Sequence, residues 1–196
     1  MQPCPFVFAP QDLASLKPRE KILAAAHRLF YAEGIRGTGV DRIIAEASVT
    51  KVTFYRQFPS KDALILAYLD DRHRLWMQAF EDAVRRHRSK LESIVPALQE
   101  WFACPSFRGC AFINALGELG GTSELVIRRV REHKQELLRF LESLVGETAD
   151  GREVRCILTA MEGAIVQAAW GEPEPALESL RSLIGILASK PNSCAR

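Results

Sequence analysis

The chain has no apolar run long enough to cross a bilayer. Spanning the hydrocarbon takes ~20 consecutive apolar residues. The apolar stretch nearest the start, residues 6–9, is interrupted by Pro3, Pro5 and Pro10 and has no basic segment before it. Neither a signal peptide nor a membrane partner is therefore expected, and the address reads as cytoplasmic. An excess of one charge is missing as well. Against 26 Lys and Arg stand 24 Asp and Glu, a net +2, which excludes an acidic tail. With 47% hydrophobic and 26% charged residues, the chain is composed like an ordinary globular protein, and 196 residues allow one or two domains. Cysteine is sparse and odd in number: Cys4, Cys104, Cys110, Cys156 and Cys194 are scattered. A disulfide framework is not expected from them, and all five read as reduced, mostly buried thiols. The four histidines are equally scattered and none falls at zinc-finger spacing, so no metal and no cofactor are expected. Phosphate loop, nucleophile elbow and telling carboxylate pair are all missing, which leaves an all-α enzyme or carrier as the remote reading. Alternating β-branched runs of strand length, internal repeats and low-complexity tracts are absent too.

What is present is helical periodicity and an uneven distribution of charge. Residues 1–61 hold nine Lys and Arg against five Asp and Glu. A basic head on a slightly acidic body suits a polyanionic partner. The first 18 residues, with four prolines and no apolar period, read as a tail. Ile22, Ala26, Leu29 and Phe30 then form one stripe of an amphipathic helix that ends at Gly34. Val40, Ile43, Ile44 and Ala47 repeat the pattern over two turns. After a break at 48–50, Thr50 caps a short third helix over 51–58, which Pro59 stops. Ser60 caps a long fourth helix to about residue 88. Further helices are expected at about 91–103, 110–119, 123–146, 152–170 and 174–189, divided by Gly109, Gly120 and Gly121, Gly146 and the run Gly171-Glu172-Pro173. The fold class is thus all-α, with about nine helices.

Three helices within about 40 residues, the last two short and joined by a tight turn, outline a helix-turn-helix. Lys51, Thr53, Tyr55, Arg56 and Gln57 supply the polar side of the last helix. Phe54 and Phe58, with Val49 in the turn, supply the buried side. The stretch Ile22-Leu23-Ala24-Ala25-Ala26-His27-Arg28-Leu29-Phe30, followed by Gly34, Thr38 and Val40-Asp41-Arg42-Ile43, resembles the DNA-binding domain of the TetR family of transcriptional regulators. So does Val49-Thr50-Lys51-Val52-Thr53-Phe54-Tyr55-Arg56-Gln57-Phe58-Pro59-Ser60-Lys61-Asp62-Ala63-Leu64. The resemblance covers about a quarter of the chain. It implies a tail at 1–18, a helix-turn-helix domain at 19–66 and a regulatory and dimerisation domain at 67–196. Two departures stand out, Ser48 where the turn normally has glycine and Ile44 where it normally has a small residue.

Laid on these positions, the resemblance implies phosphate contacts from Thr38, Tyr55 and Lys61. Lys51, Val52 and Arg56 fall where base edges are read. Lys and Arg can donate to guanine, and valine can touch a thymine methyl. Thr53 and Gln57 are expected to face phosphates, and Arg42 the groove margin. The partners implied are a double-stranded DNA operator, a second copy of the chain and a small-molecule effector.

For the body, the resemblance implies a homodimer through the last two helices. Ile157, Met161 and Ile165 lie on one apolar stripe and Leu177, Leu180, Ile184 and Leu187 on another. They are the candidate interface, with a core inside the protomer as the other reading. Candidate lining of an effector pocket comes from Trp76, Phe80, Trp101, Phe102, Phe107, Phe112, Asn114 and Glu118, residues that also suit an ordinary core. Asn114 and Glu118 sit one turn apart among apolar neighbours, where either a ligand or a helix end would satisfy them. Cys104 and Cys110 could form a redox switch. The function read from all this is a homodimeric repressor released by an effector, with an activator or a thiol-gated regulator as the alternative.

Overall fold

The computed structural model describes Cys4, Phe6 and residues 15–145 and 151–188. All of the regular structure among them is helical: α1 Pro18–Glu33, α2 Val40–Glu46, α3 Lys51–Gln57, α4 Lys61–Arg86, α5 Ile94–Phe102, α6 Ala111–Leu119, α7 Glu124–Val145, α8 Gly151–Ala169 and α9 Pro173–Ala188. A single 3-10 turn, Leu91–Ser93, precedes α5. The all-α expectation holds, and most boundaries fall within two residues of those read from periodicity.

The helix ends follow from side chains named in the sequence. Pro18 opens α1 at a position where its missing N–H costs nothing, and the Glu20 carboxylate accepts the Lys17 N–H at 2.8 Å. Gly34 closes the helix at φ 86°, a left-handed conformation that suits glycine. The Thr50 hydroxyl accepts the Thr53 N–H at 3.1 Å, and Ser60 does the same for Ala63 at 3.1 Å. Phe58, ahead of Pro59, is extended. Ser48 adopts φ 52° in the turn between α2 and α3. That left-handed geometry explains why glycine is usual there. Serine holds it at a cost of ~1 kcal/mol.

The chain divides into two compact units. One comprises 1–77 and 110–133, the other 78–109 and 134–196, so α4 and α7 each contribute to both. The head expected at 19–66 lies wholly within the first unit, together with the start of α4, α6 and the first half of α7. In that unit α1 packs on α2 and α3. Ile22, Leu29, Ile43, Phe54, Leu64 and Leu69 are fully buried, and Phe30 meets Tyr68 edge to face at 5.3 Å. Burying a side chain of this kind is worth ~1.5–3 kcal/mol. The reading of 1–18 as a tail needs correction at one point. Phe6 is fully buried, and its carbonyl accepts a hydrogen bond from Arg72 at 3.3 Å. Arg72 in turn lies over the Tyr31 ring at 4.3 Å. A large apolar side chain gains too much from burial to stay in solvent, however proline-rich its neighbours.

The second unit is built on α8 against α9, with α5 packed on α9. Its buried side chains include Leu98, Trp101, Val154, Ile157, Met161, Ile165, Leu180 and Ile184. No helix among the described residues is long and apolar enough to cross a membrane.

The expectation of reduced thiols throughout is overturned at two positions. Cys4 and Cys104 are each disulfide-bonded, whereas Cys110 is a buried thiol and Cys156 an exposed one. Scatter along the sequence sets no limit on which sulfurs find a partner. Cys194 lies outside the described residues.

Candidate nucleic-acid interface

Helix α3 is only seven residues long and cannot hold its shape without an anchor. Phe54 supplies it. This side chain is fully buried, meets Tyr55 edge to face at 5.2 Å and lies 6.4 Å from the Phe58 ring. With that side fixed, the opposite side of α3 points outward by helix geometry. Lys51, Val52, Tyr55 and Arg56 are all exposed there. Val52 has 78% of its surface in solvent, an unusual place for a β-branched apolar side chain unless something is to cover it. Thr53 and Gln57 are half-buried at the margins, and the Thr53 and Thr50 hydroxyls are hydrogen-bonded at 2.9 Å.

The basic residues around this face differ in their partners. Lys51 pairs with Asp41 at 3.3 Å and Arg42 with Glu33 at 2.7 Å, while Arg28 pairs with Glu46. All of these are solvent-exposed pairs that a polyanion can exchange at little cost. Arg56 makes no ion pair among the described residues. Its guanidinium is the cation on α3 that is ready to meet a new acceptor.

Two of the expected phosphate contacts are placed differently. Thr38 is fully buried, and its hydroxyl donates to the Gly34 carbonyl at 2.7 Å, so it closes the loop rather than facing a backbone phosphate. Lys61 is half-buried. Its Nζ donates to the Ile35 carbonyl at 2.6 Å, and burial lowers its pKa, an effect that Glu118 and Asp62 counter only in part. Both side chains supply donors to carbonyls of the turn between α1 and α2.

Behind the head, His27 on α1 shares a hydrogen bond with Asp71 on α4 at 3.0 Å. Burial outweighs that bond and lowers the His27 pKa, with Arg72 adding to the effect. Burial alone would raise Asp71, but hydrogen bonds from His27 and Arg74 hold it below its usual range. The neutral imidazole donates to an ionised carboxylate. On acidification the unfolded chain takes up a proton at His27 before the folded one does, so stability is full above pH 6.5 and falls as the pH drops through that value. Asp71 adds a second loss below 3.8. Thermal melts across the range from about pH 8 to about pH 3 should show both declines. His27→Gln should remove the upper one, and an unchanged upper step in that variant would contradict the assignment.

The expected pocket residues fall into separate groups. In the first unit, Trp76 and Phe112 are buried around two histidines that the sequence left scattered. The Nδ1 atoms of His73 and His133 are 2.9 Å apart. Phe112 stacks on His133 at 3.8 Å, and Trp76 meets it edge to face at 5.6 Å. In the second unit, Trp101, Phe102 and Phe107 cluster, with Trp101 and Phe107 at 5.1 Å and Phe102 and Phe107 at 4.9 Å. Phe80 lies against Phe140 at 5.8 Å. Asn114 is exposed, contrary to its apolar surroundings in sequence. Glu118 accepts the Arg36 N–H at 2.7 Å, which makes it a partner of the α1–α2 loop. Among the described residues no group of three or more His, Cys, Asp or Glu is placed to hold a metal ion.

The stripes expected at a dimer interface are also placed by the structure. Ile157, Met161, Ile165, Leu177, Leu180 and Ile184 are buried inside the protomer, and Leu187 is half-buried. They hold α8 and α9 together and are not available to a partner. The large apolar side chains exposed on these helices and in the turn between them are instead Val166, Trp170, Leu183 and Ile186, with Trp170 at 66%. Periodicity found the stripe but not its partner, since a helix with apolar residues on two faces gives no sign of which face is outward.

Residues 22–68 match the family described as bacterial regulatory proteins, tetR family. Among solved structures, SCO4454, a TetR-family transcriptional regulator from Streptomyces coelicolor, is 36% identical. The match covers 87% of this chain and 94% of that one, with a TM-score of 0.75. An uncharacterised HTH-type transcriptional regulator from the lacX 3' region of Lactococcus lactis subsp. lactis is 26% identical over 76% of this chain and 72% of its own length. The HTH-type transcriptional repressor DhaR of Mycobacterium sp. (strain GP1) is 28% identical over 68% of this chain and 64% of its own.

Proposed function

This chain belongs to the TetR family of bacterial transcriptional regulators, and from that premise we propose that it is a homodimeric repressor released from its operator by a small-molecule effector. The outward face of α3 carries the reading. An anchored helix presents Lys51, Val52, Tyr55 and Arg56 together, donors for guanine and phosphate beside a contact for a thymine methyl. The sense of regulation follows the likeness to DhaR, which is described as a repressor.

The dimer follows from the reach of one head. A single short helix reads one half-site, so two heads are needed, spaced by about one turn of the duplex. Val166 on α8, Trp170 just beyond its end, and Leu183 and Ile186 on α9 are the exposed apolar side chains that a second copy would cover. A symmetric four-helix contact is the arrangement two such helix pairs make. The effector would act by binding the DNA-competent and incompetent arrangements unequally.

The test is a selection of duplexes from a random library with the full chain, followed by titration of the recovered sequence across a salt series. A palindromic site bound by two protomers, with affinity falling steeply as salt rises, is the expected result. Trp170→Arg should shift the free protein to monomer in sedimentation and reduce operator affinity while leaving the melting of the head unchanged. Selection that returns no sequence in common would sink the reading.

A further inference from the structure

The loop between α1 and α2, residues 34–39, is the only covalent connection between the first helix and the pair that would read DNA. It is held from three directions. Within the loop, the Thr38 hydroxyl donates to the Gly34 carbonyl at 2.7 Å. From the start of α4, the Lys61 ammonium donates to the Ile35 carbonyl at 2.6 Å. From the last turn of α6, some 80 residues further along the chain, the Glu118 carboxylate accepts the Arg36 N–H at 2.7 Å.

The third contact is the informative one. A carboxylate near the C-terminal end of a helix opposes the helix dipole, so its position there is not helped by its own helix. The loop in turn is shaped to receive it. Gly34 sits at φ 86°, and a Cβ at that position would lie 3.1 Å from Glu118 Oε2 and 3.3 Å from Oε1. A side chain there would press the carboxylate back, and the positive φ would strain it as well. The Lys61 ammonium interacts favourably with the same carboxylate. Acid and base thus grip the two ends of one peptide group, Ile35–Arg36, the acid on its N–H and the base on its carbonyl.

We propose that Glu118 is a positioning residue for DNA recognition: through Arg36 it fixes the α1–α2 loop and with it the placement of α2 and α3, without touching DNA. The proposal rests on the reading of α3 as the recognition helix. Because α2 and α3 are seven residues each, their placement depends on what holds their ends rather than on their own stiffness. The residue does for geometry what Arg56 does for sequence.

Full-length wild type, Glu118→Ala and Glu118→Gln are titrated against the duplex recovered by selection, across a salt series. The exchange of the Arg36 amide proton is followed without DNA. Glu118→Ala should lose about tenfold in affinity, the scale of one hydrogen bond to a charged group, with unchanged base preference and salt slope, because no phosphate contact is lost. Arg36 should exchange faster. Glu118→Gln should recover most of the affinity, since its amide oxygen still accepts the Arg36 N–H. Glu118→Asp draws the carboxylate back by one methylene while keeping its charge, and carries the same expectation as alanine if the alanine variant does not fold. Binding by the folded alanine or aspartate variant that equals wild type, or a glutamine variant no better than alanine, overturns the proposal. Wild type that binds no selected duplex strikes the regulator reading instead. In that case an Arg36 amide protected equally in wild type and Glu118→Ala still overturns the role of Glu118.

Discussion

Arg56→Ala should bind the selected operator more weakly by about 1–3 kcal/mol, one to two orders of magnitude in Kd, and should accept substitutions at the base pair it reads. The size of the effect comes from the state of the free protein. Lys51 and Arg42 must leave Asp41 and Glu33 to reach DNA, so what they gain is offset by the pairs they give up. Arg56 is exposed and makes no ion pair among the described residues, and its new hydrogen bonds are won without that exchange. The measurement is a repeat of the selection with the variant. A broadened preference at one symmetric position in each half-site is expected, and an unchanged motif would remove Arg56 from the reading set.

Phe54→Ala should have the largest effect on stability. The side chain is fully buried, and truncating a buried phenylalanine costs about 3–5 kcal/mol, a large share of what holds a small domain together. The loss falls on a helix of seven residues whose other face must stay in solvent for function, so no second contact can replace it. DNA binding should disappear. In thermal unfolding the head should melt well before the second unit, giving two transitions where wild type gives fewer. A single transition at the wild-type temperature would show that α3 is held by something other than this ring.

The course of the fold was readable because its signals are local. Thr50, Ser60, Pro59 and Gly34 act on the backbone within a turn of themselves, and the structure shows each ending or starting a helix as expected. The outward face of α3 was readable for the same reason, since Phe54 and Phe58 fix which side is buried. What the sequence did not disclose depends on contacts between distant segments. Thr38 and Lys61 have the right chemistry for phosphate, and only the fold shows carbonyls within their reach. Glu118 looked like a pocket residue because its sequence neighbours are apolar, yet its partner is an N–H at residue 36. His73 and His133 are 60 residues apart and meet at 2.9 Å. The α8 and α9 stripes were found, but periodicity does not say whether an apolar face meets the protomer or a second copy.

The contact between His73 and His133 carries one further consequence. With Nδ1 facing Nδ1 at 2.9 Å, a single hydrogen must lie between the rings, so two neutral imidazoles there are one Nδ1–H and one Nε2–H tautomer. While both rings are neutral their far nitrogens are therefore out of step, one a donor and one an acceptor. Between neutral rings, reversing the role of either reverses the other, so a change of hydrogen-bond polarity at one ring is passed on to its partner.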